Sequence, residues 1–186
     1  MNVIARPPVP GHWTLDSFLA WEREQEGRFE FDGAGIVEMN GGTLAHAVIL
    51  ANLAFALTTR LDRSRFFVLQ VGLKVLANGR IRYPDVVVLD RAQAPNHDVM
   101  TAPIVVAEIL SPGTARTDLF DKPLEYGAIP SVLHYVILEQ THRAAMVWTR
   151  DPAPWAAQVN RTELRLPALA VTVPLAELYA GVPEPT

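Results

Sequence analysis

The sequence predicts one mixed α/β domain, residues 1–186, with a central β-sheet flanked by helices. Three observations predict it. The chain has 186 residues at 49% hydrophobic and 19% charged, enough for one sizeable core and too apolar for a disordered segment. Helix-like and strand-like stretches follow one another in the order α-β-β-α-β-β-β-α-β-β. Two runs, "PDVVVL" and "PIVVAEIL", are apolar without polar alternation, as expected of central strands covered on both faces.

The elements follow in order. Thr14 can cap a helix over about 15–26, with Leu15, Phe18 and Leu19 inward and the Glu-rich side outward. "RFEFDGAGIVEM" reads as two short strands around Asp32-Gly33. "GGTLAHAVILANLAFALTTRL" reads as a helix over roughly 44–61. It is apolar nearly all round, so it is either buried on several sides or a subunit contact. "FFVLQVGLKVLANGRIRYPDVVVLD" holds two strand-like runs around Asn78-Gly79, a strong hairpin signal. After a polar loop, "PIVVAEIL" is a buried strand and "TARTDLFDKPLEYGA" is helix-like. "SVLHYVILE" is another buried strand. "AAMVWTR", "WAAQVN" and "LAVTV" are short strands, and "PLAELYA" is a terminal turn.

Some classes are disfavoured. There are no cysteines, so disulfides and thiolate zinc sites are excluded. The longest apolar stretch (44–57) is shorter than the ~20 residues a membrane span needs. The N-terminal stretch lacks a signal-peptide core. A cytoplasmic protein with no membrane contact is the expectation. Net charge is −4, but residues 60–82 carry Arg60, Arg63, Arg65, Lys74, Arg80 and Arg82 against Asp62 alone. A local basic patch can contact DNA phosphates; it also reads as an ordinary solvated face.

Two acids break the apolar texture of the sheet: Asp85 and Glu108. A carboxylate buried alone is costly unless something pairs with it. A hard cation between the two removes that cost. Mg2+, with Mn2+ as substitute, commonly takes one or two carboxylates and completes its shell with water and phosphate oxygens. Strand-end acids paired with arginines such as Arg82 are the competing structural explanation. A two-residue hairpin loop at Asn78-Gly79 sets Gly72 opposite Asp85, with Lys74 one diagonal away on the same face. Asp118, Lys122 and Tyr126 share one helical face, which makes Lys122 a candidate cation beside the carboxylates; an Asp-to-Lys helix pair is the plain alternative.

"IRYPDVVVLD" followed by "VVAEILSPGTARTDLFDKPLEYGAIPSVLHYVIL" resembles the Uma-two-type restriction endonuclease family of the PD-(D/E)-x-K nuclease superfamily. The resemblance covers nearly the whole chain. It implies a restriction-endonuclease-like core, a Mg2+-dependent deoxyribonuclease acting on DNA, and a homodimer. Asp85 and Glu108 match the metal-binding acids. Leu110 stands where the superfamily lysine is expected, and the following helix supplies Lys122 instead. Glu30, Glu38 and His46 match positions near the presumed site. Pro123, directly after Lys122, is expected to kink the helix and turn Lys122 away. Lys74 is then the alternative cation. The chain could instead be a catalytically weak or inactive nuclease-fold module binding nucleic acid or protein, or a hydrolase of a small phosphorylated substrate.

Overall fold

In the computed structural model, which describes residues 13–39, 41–70, 72–94, 98–150 and 155–183, one long hairpin runs through two sheets. Its outer part is β3 (Phe66–Gln70) against β6 (Val86–Asp90). Its inner part is β4 (Lys74–Ala77) against β5 (Arg80–Arg82). At the tip, Asn78 and Gly79 both have positive φ, +49° and +77°, and Ala77 faces Arg80 as the Asn-Gly signal predicts.

The register does not continue from one part to the other. Gln70 pairs with Val86 and Val75 with Arg82, so the two ladders are out of step by one residue. Gly72, with φ +106°, lies between the ladders on one side, and Pro84, which has no amide donor, lies between them on the other. The extra residue bends the hairpin from one sheet into the next. Two expectations change with it. The single central sheet is a six-stranded sheet joined to a five-stranded one, and Gly72 is not opposite Asp85 in a continuous ladder.

The six-stranded sheet has the order β11-β10-β9-β8-β6-β3, built with β8 (Val105–Ile109), β9 (His134–Leu138), β10 (Ala145–Thr149) and β11 (Ala156–Asn160). Only β8 and β9 are parallel in it. One face packs Val86, Val88, Val105, Ala107 and Val136 against α2 (Leu44–Arg60). The other packs Val87, Val106 and Tyr135 against α3 (Lys122–Gly127) and its flanks. Coverage on both sides explains the unbroken apolar runs.

The five-stranded sheet has the order β2-β1-β5-β4-β7, with β1 (Phe29–Phe31), β2 (Ile36–Glu38) and the short β7 (Val99–Met100). It carries α1 (Leu15–Glu22), which starts at Thr14 through a reciprocal bond with Ser17. Phe18 is fully buried and stacks on Phe31 at 5.4 Å. The helix is shorter than expected, and Glu22 turns inward to Lys74 and the Tyr83 hydroxyl. A third, two-stranded sheet pairs β12 (Glu163–Leu166) with β13 (Val171–Pro174), followed by α4 (Leu175–Leu178). Among the described residues, no helix is long and apolar enough to cross a membrane.

Candidate active site

The β6–β8 ladder pairs Val86 with Ala107, which leaves Asp85, just before β6, level with Glu108 near the end of β8. The two carboxylates are near enough for Asp85 to help raise the Glu108 pKa, and among the described residues neither is paired with an arginine. Asp85 Oδ2 accepts the backbone N–H of Ile109 at 2.8 Å and lies 3.1 Å from His46 Nε2. Glu108 Oε1 accepts from the Lys122 ammonium at 2.7 Å and from the Tyr126 hydroxyl at 3.4 Å.

His46 reaches Asp85 because the start of α2 is fastened there. Thr43 caps α2 by accepting the His46 N–H and donates its hydroxyl to Gln140 Oε1 at 2.6 Å. Gln140 in turn donates to the carbonyl of Leu110, just beyond β8, at 2.7 Å. Gly42 backs the imidazole so closely that a Cβ there would sit 2.8 Å from Nδ1. The hydrogen bond to Asp85 is the main reason the His46 pKa rises above its ordinary value, with burial opposing. Leu110, at the position of the superfamily lysine, packs on the apolar cluster.

Lys122 faces the site, contrary to the expectation from Pro123. Residues Thr117–Asp121 form a π-helical turn, and the Lys122 N–H reaches back to the Thr117 carbonyl. Pro123 then occupies the first turn of α3, where a missing N–H costs little. The wider turn absorbs the proline, and π-turns recur at functional sites. The ammonium is buried among three carboxylates: Glu108 at 2.7 Å, Asp118 at 2.9 Å and Glu30 at 3.5 Å. Burial alone would lower the Lys122 pKa; Glu108, Glu30 and Asp118 instead hold it well above the lysine range. Glu108 moves far upward, driven by burial and by Asp118, Asp85 and Glu30, against Lys122.

Glu30 joins this cluster to a second one. Its Oε1 accepts the Tyr83 N–H at 3.0 Å and its Oε2 accepts from Arg82 at 3.0 Å. Arg82 also grips Glu125 with two bonds of 2.7 Å. Burial would raise the Glu30 pKa, yet Lys122 and Arg82 hold it below the ordinary glutamate value. A cavity of about 360 Å³ borders Arg80, Arg82, Asp121 and Glu125, beside this second cluster and not at the Asp85–Glu108 pair. The carboxylate pair is the stronger candidate, because chemistry needs convergent groups more than volume.

Asp85 pairs with His46, and Glu108 and Glu30 gather with Asp118 around Lys122; the two groups are neighbours through the electrostatic influence of Asp85 on Glu108. Lys74 is not among them: its ammonium is taken by Glu22 at 2.8 Å and Asp98 at 2.5 Å, because the register shift sends β4 into the other sheet. Glu38 lies at the end of β2 opposite Phe29 and enters none of these ion pairs. The basic segment does not form one surface. Arg82 is 2% exposed and committed to Glu30 and Glu125. Arg60 clamps Glu177 of α4 with bonds of 2.9 and 2.7 Å. Arg80 bonds the Asp32 carbonyl at the hairpin tip. Arg63 is exposed, and Arg65 is 66% exposed over Phe66 at the opposite end of the hairpin. Sequence reasoning missed Glu125 altogether. It gave Asp118 only a plain helix-pair role, although the D-x-x-x-K spacing was its signal.

Among the described residues, no three His, Cys, Asp or Glu side chains stand together as ready metal ligands. The Asp85 and Glu108 carboxylates are the oxygen-donor type that suits Mg2+, which takes few protein ligands. Three acids around one ammonium also leave a surplus of negative charge that a cation would offset.

A family model described as "Uma2: Putative restriction endonuclease" matches residues 15–179. An uncharacterized protein of Synechocystis, slr1290, is 29% identical over 129 residues, covering 68% of each chain. A crystal structure described as a putative nuclease belonging to DUF820, from Anabaena variabilis, superposes with a TM-score of 0.78 at 17% identity, covering 90% of this chain and 98% of that one. That likeness establishes a shared fold.

Proposed function

This chain belongs to the Uma2 family, described as putative restriction endonucleases, and from that premise we propose that it is a Mg2+-dependent endonuclease hydrolysing DNA phosphodiester bonds. The observation that carries the proposal is that Asp85 and Glu108 lie level on neighbouring strands and influence each other electrostatically, with a buried ammonium on the second acid. Asp85 and Glu108 would hold the ion. When bound, Mg2+ supplies polarisation of a phosphoryl oxygen and a bound water of lowered pKa. His46 holds the Asp85 carboxylate in place and, with its proton on Nε2, donates to Oδ2. Lys122 supplies a fixed positive charge for the charge that builds on the phosphate. Arg63 and Arg65 are the exposed arginines of the basic segment, Arg65 also reaching Asp90 at 3.4 Å, and would touch backbone phosphates, which position a duplex without reading it.

The test is cleavage of plasmid, linear duplex and single-stranded DNA with Mg2+ or Mn2+, comparing the parent protein with Asp85→Ala. Activity confined to the parent and abolished by chelator supports the proposal. Equal cleavage by both proteins overturns it. The closed Lys122–Glu108 pair favours one rival, a nuclease-fold module that binds without cutting. Calorimetric titration with Mn2+ separates the two: heat that vanishes in Glu108→Ala supports the enzyme, and no heat in the parent supports the module.

A further inference from the structure

The chain contains two lysines, Lys74 and Lys122, against fourteen arginines, and both lysines are buried in clusters of acids. Lys122 has more carboxylates than it needs. Its ammonium has three N–H donors, and Glu108, Asp118 and Glu30 all lie within 3.5 Å of the nitrogen. These acids are not equivalent. Glu30 is already engaged by Arg82 and the Tyr83 N–H. Glu108 is the one of the three whose neighbour on the adjoining strand is Asp85, which helps raise its pKa. Asp118 Oδ1 is fully buried and 2.9 Å from the ammonium, yet it makes no hydrogen bond of proper geometry among the described residues. It is an acceptor close at hand and not in use. Its backbone is held as well, because the Tyr135 hydroxyl donates to the Asp118 carbonyl at 3.0 Å.

We infer that Asp118 is a positioning residue that takes up the Lys122 ammonium when a divalent cation claims Glu108. The inference rests on the metal-dependent reading above. A cation arriving at Glu108 competes with the ammonium for the same carboxylate. Without another acceptor, a buried charge would be stranded, at a cost large enough to oppose binding. Asp118 removes that cost: a small rotation of the lysine completes a bond the ground state leaves unmade. Lys122 thereby stays beside the reacting centre. Residues 118 and 122 stand four apart across the π-turn.

With only two lysines, the ammonium groups can be followed by NMR of the 15Nζ signals, assigned by loss of one signal in Lys122→Met; Lys74 is the internal control. Titration with Mg2+ should shift the Lys122 signal of the parent protein while it stays sharp. In Asp118→Asn the signal should vanish into exchange with water as Mg2+ saturates, and calorimetric Mn2+ affinity should fall about tenfold. Asp118→Glu, which keeps the carboxylate, should recover most of both and guards against a folding defect in the asparagine variant. If Asp118→Asn matches the parent in signal and affinity, or if the parent binds Mn2+ by calorimetry while saturating Mg2+ leaves the Lys122 signal unmoved, the role of Asp118 is overturned while the metal site stands. If the parent binds no Mn2+ at all, the metal-dependent reading fails and this inference with it.

Discussion

The Lys122 ammonium lies 2.7 Å from the one carboxylate, Glu108, that stands across the ladder from Asp85. A well-paired buried acid normally costs roughly 3–5 kcal/mol to remove. Glu108 is different, because burial and three neighbouring acids oppose its charge. Glu108→Gln without metal should therefore unfold at the same temperature as the parent or higher. Cleavage should fall at least ~100-fold. Thermal melts in chelator, beside a cleavage assay, check both; a large drop in melting temperature would show that the acid serves stability instead.

His46 depends on a glycine. A Cβ at Gly42 would meet His46 Nδ1 at 2.8 Å and Cγ at 2.9 Å, too close to the ring's root for a simple rotation to relieve. Gly42→Ala should displace the imidazole from Asp85. We expect about tenfold lower activity, as for a misplaced group near the chemistry, with the global fold retained. Comparing the His46 ring signals by NMR with cleavage rate checks this; unchanged signals would remove Gly42 from the account.

The acids were legible in the sequence because each interrupts an apolar run, and a buried charge is rarely idle. The Asn-Gly hairpin and the Thr14 cap of α1 were legible from local chemistry, and α2 from its long apolar stretch. What depended on long-range geometry was not. Gly72 gave no sign that it would absorb an extra residue and carry Lys74 into another sheet. Pro123 suggested a lysine turned away, whereas a π-turn lets it point inward. Arg82 looked like part of a solvated basic face because its partners, Glu30 and Glu125, lie 52 and 43 residues away. The strands β7 and β12 were too short, two and four residues, to leave a clear period.

Two arginines of the same segment should behave in opposite ways. Arg82 is shared by two buried acids, so Arg82→Met takes both bonds from Glu125 and one from Glu30 and should destabilise by roughly 3–5 kcal/mol. Arg63 is exposed, so Arg63→Ala should leave the melting curve unchanged. If Arg63 touches a phosphate, the same change should weaken DNA binding on all sequences alike and lower the salt slope by about one. Denaturant melts and binding isotherms at several salt concentrations separate these roles.

His134 supplies a pH dependence remote from the metal question. It is fully buried at the start of β9. Its Nδ1 lies 3.3 Å from the Thr149 hydroxyl, and its Nε2 accepts the Ala168 N–H at 3.3 Å. Both nitrogens are therefore served in the neutral ring, and a second proton would break the bond from Ala168. Burial pushes the pKa down to about 4, from 6.5 in the ordinary state. Above pH 6.5 the ring is neutral folded or unfolded, and its contribution is complete. As the pH falls from 6.5 toward 4, the unfolded chain gains a proton that the folded one refuses, and stability declines. Below 4 both states are protonated and this contribution is spent, after a loss of ~3 kcal/mol at most. Chemical denaturation at steps from pH 7.5 to 4 should show that decline, and His134→Gln should flatten it; an equal slope in both proteins would assign the pH dependence to other groups.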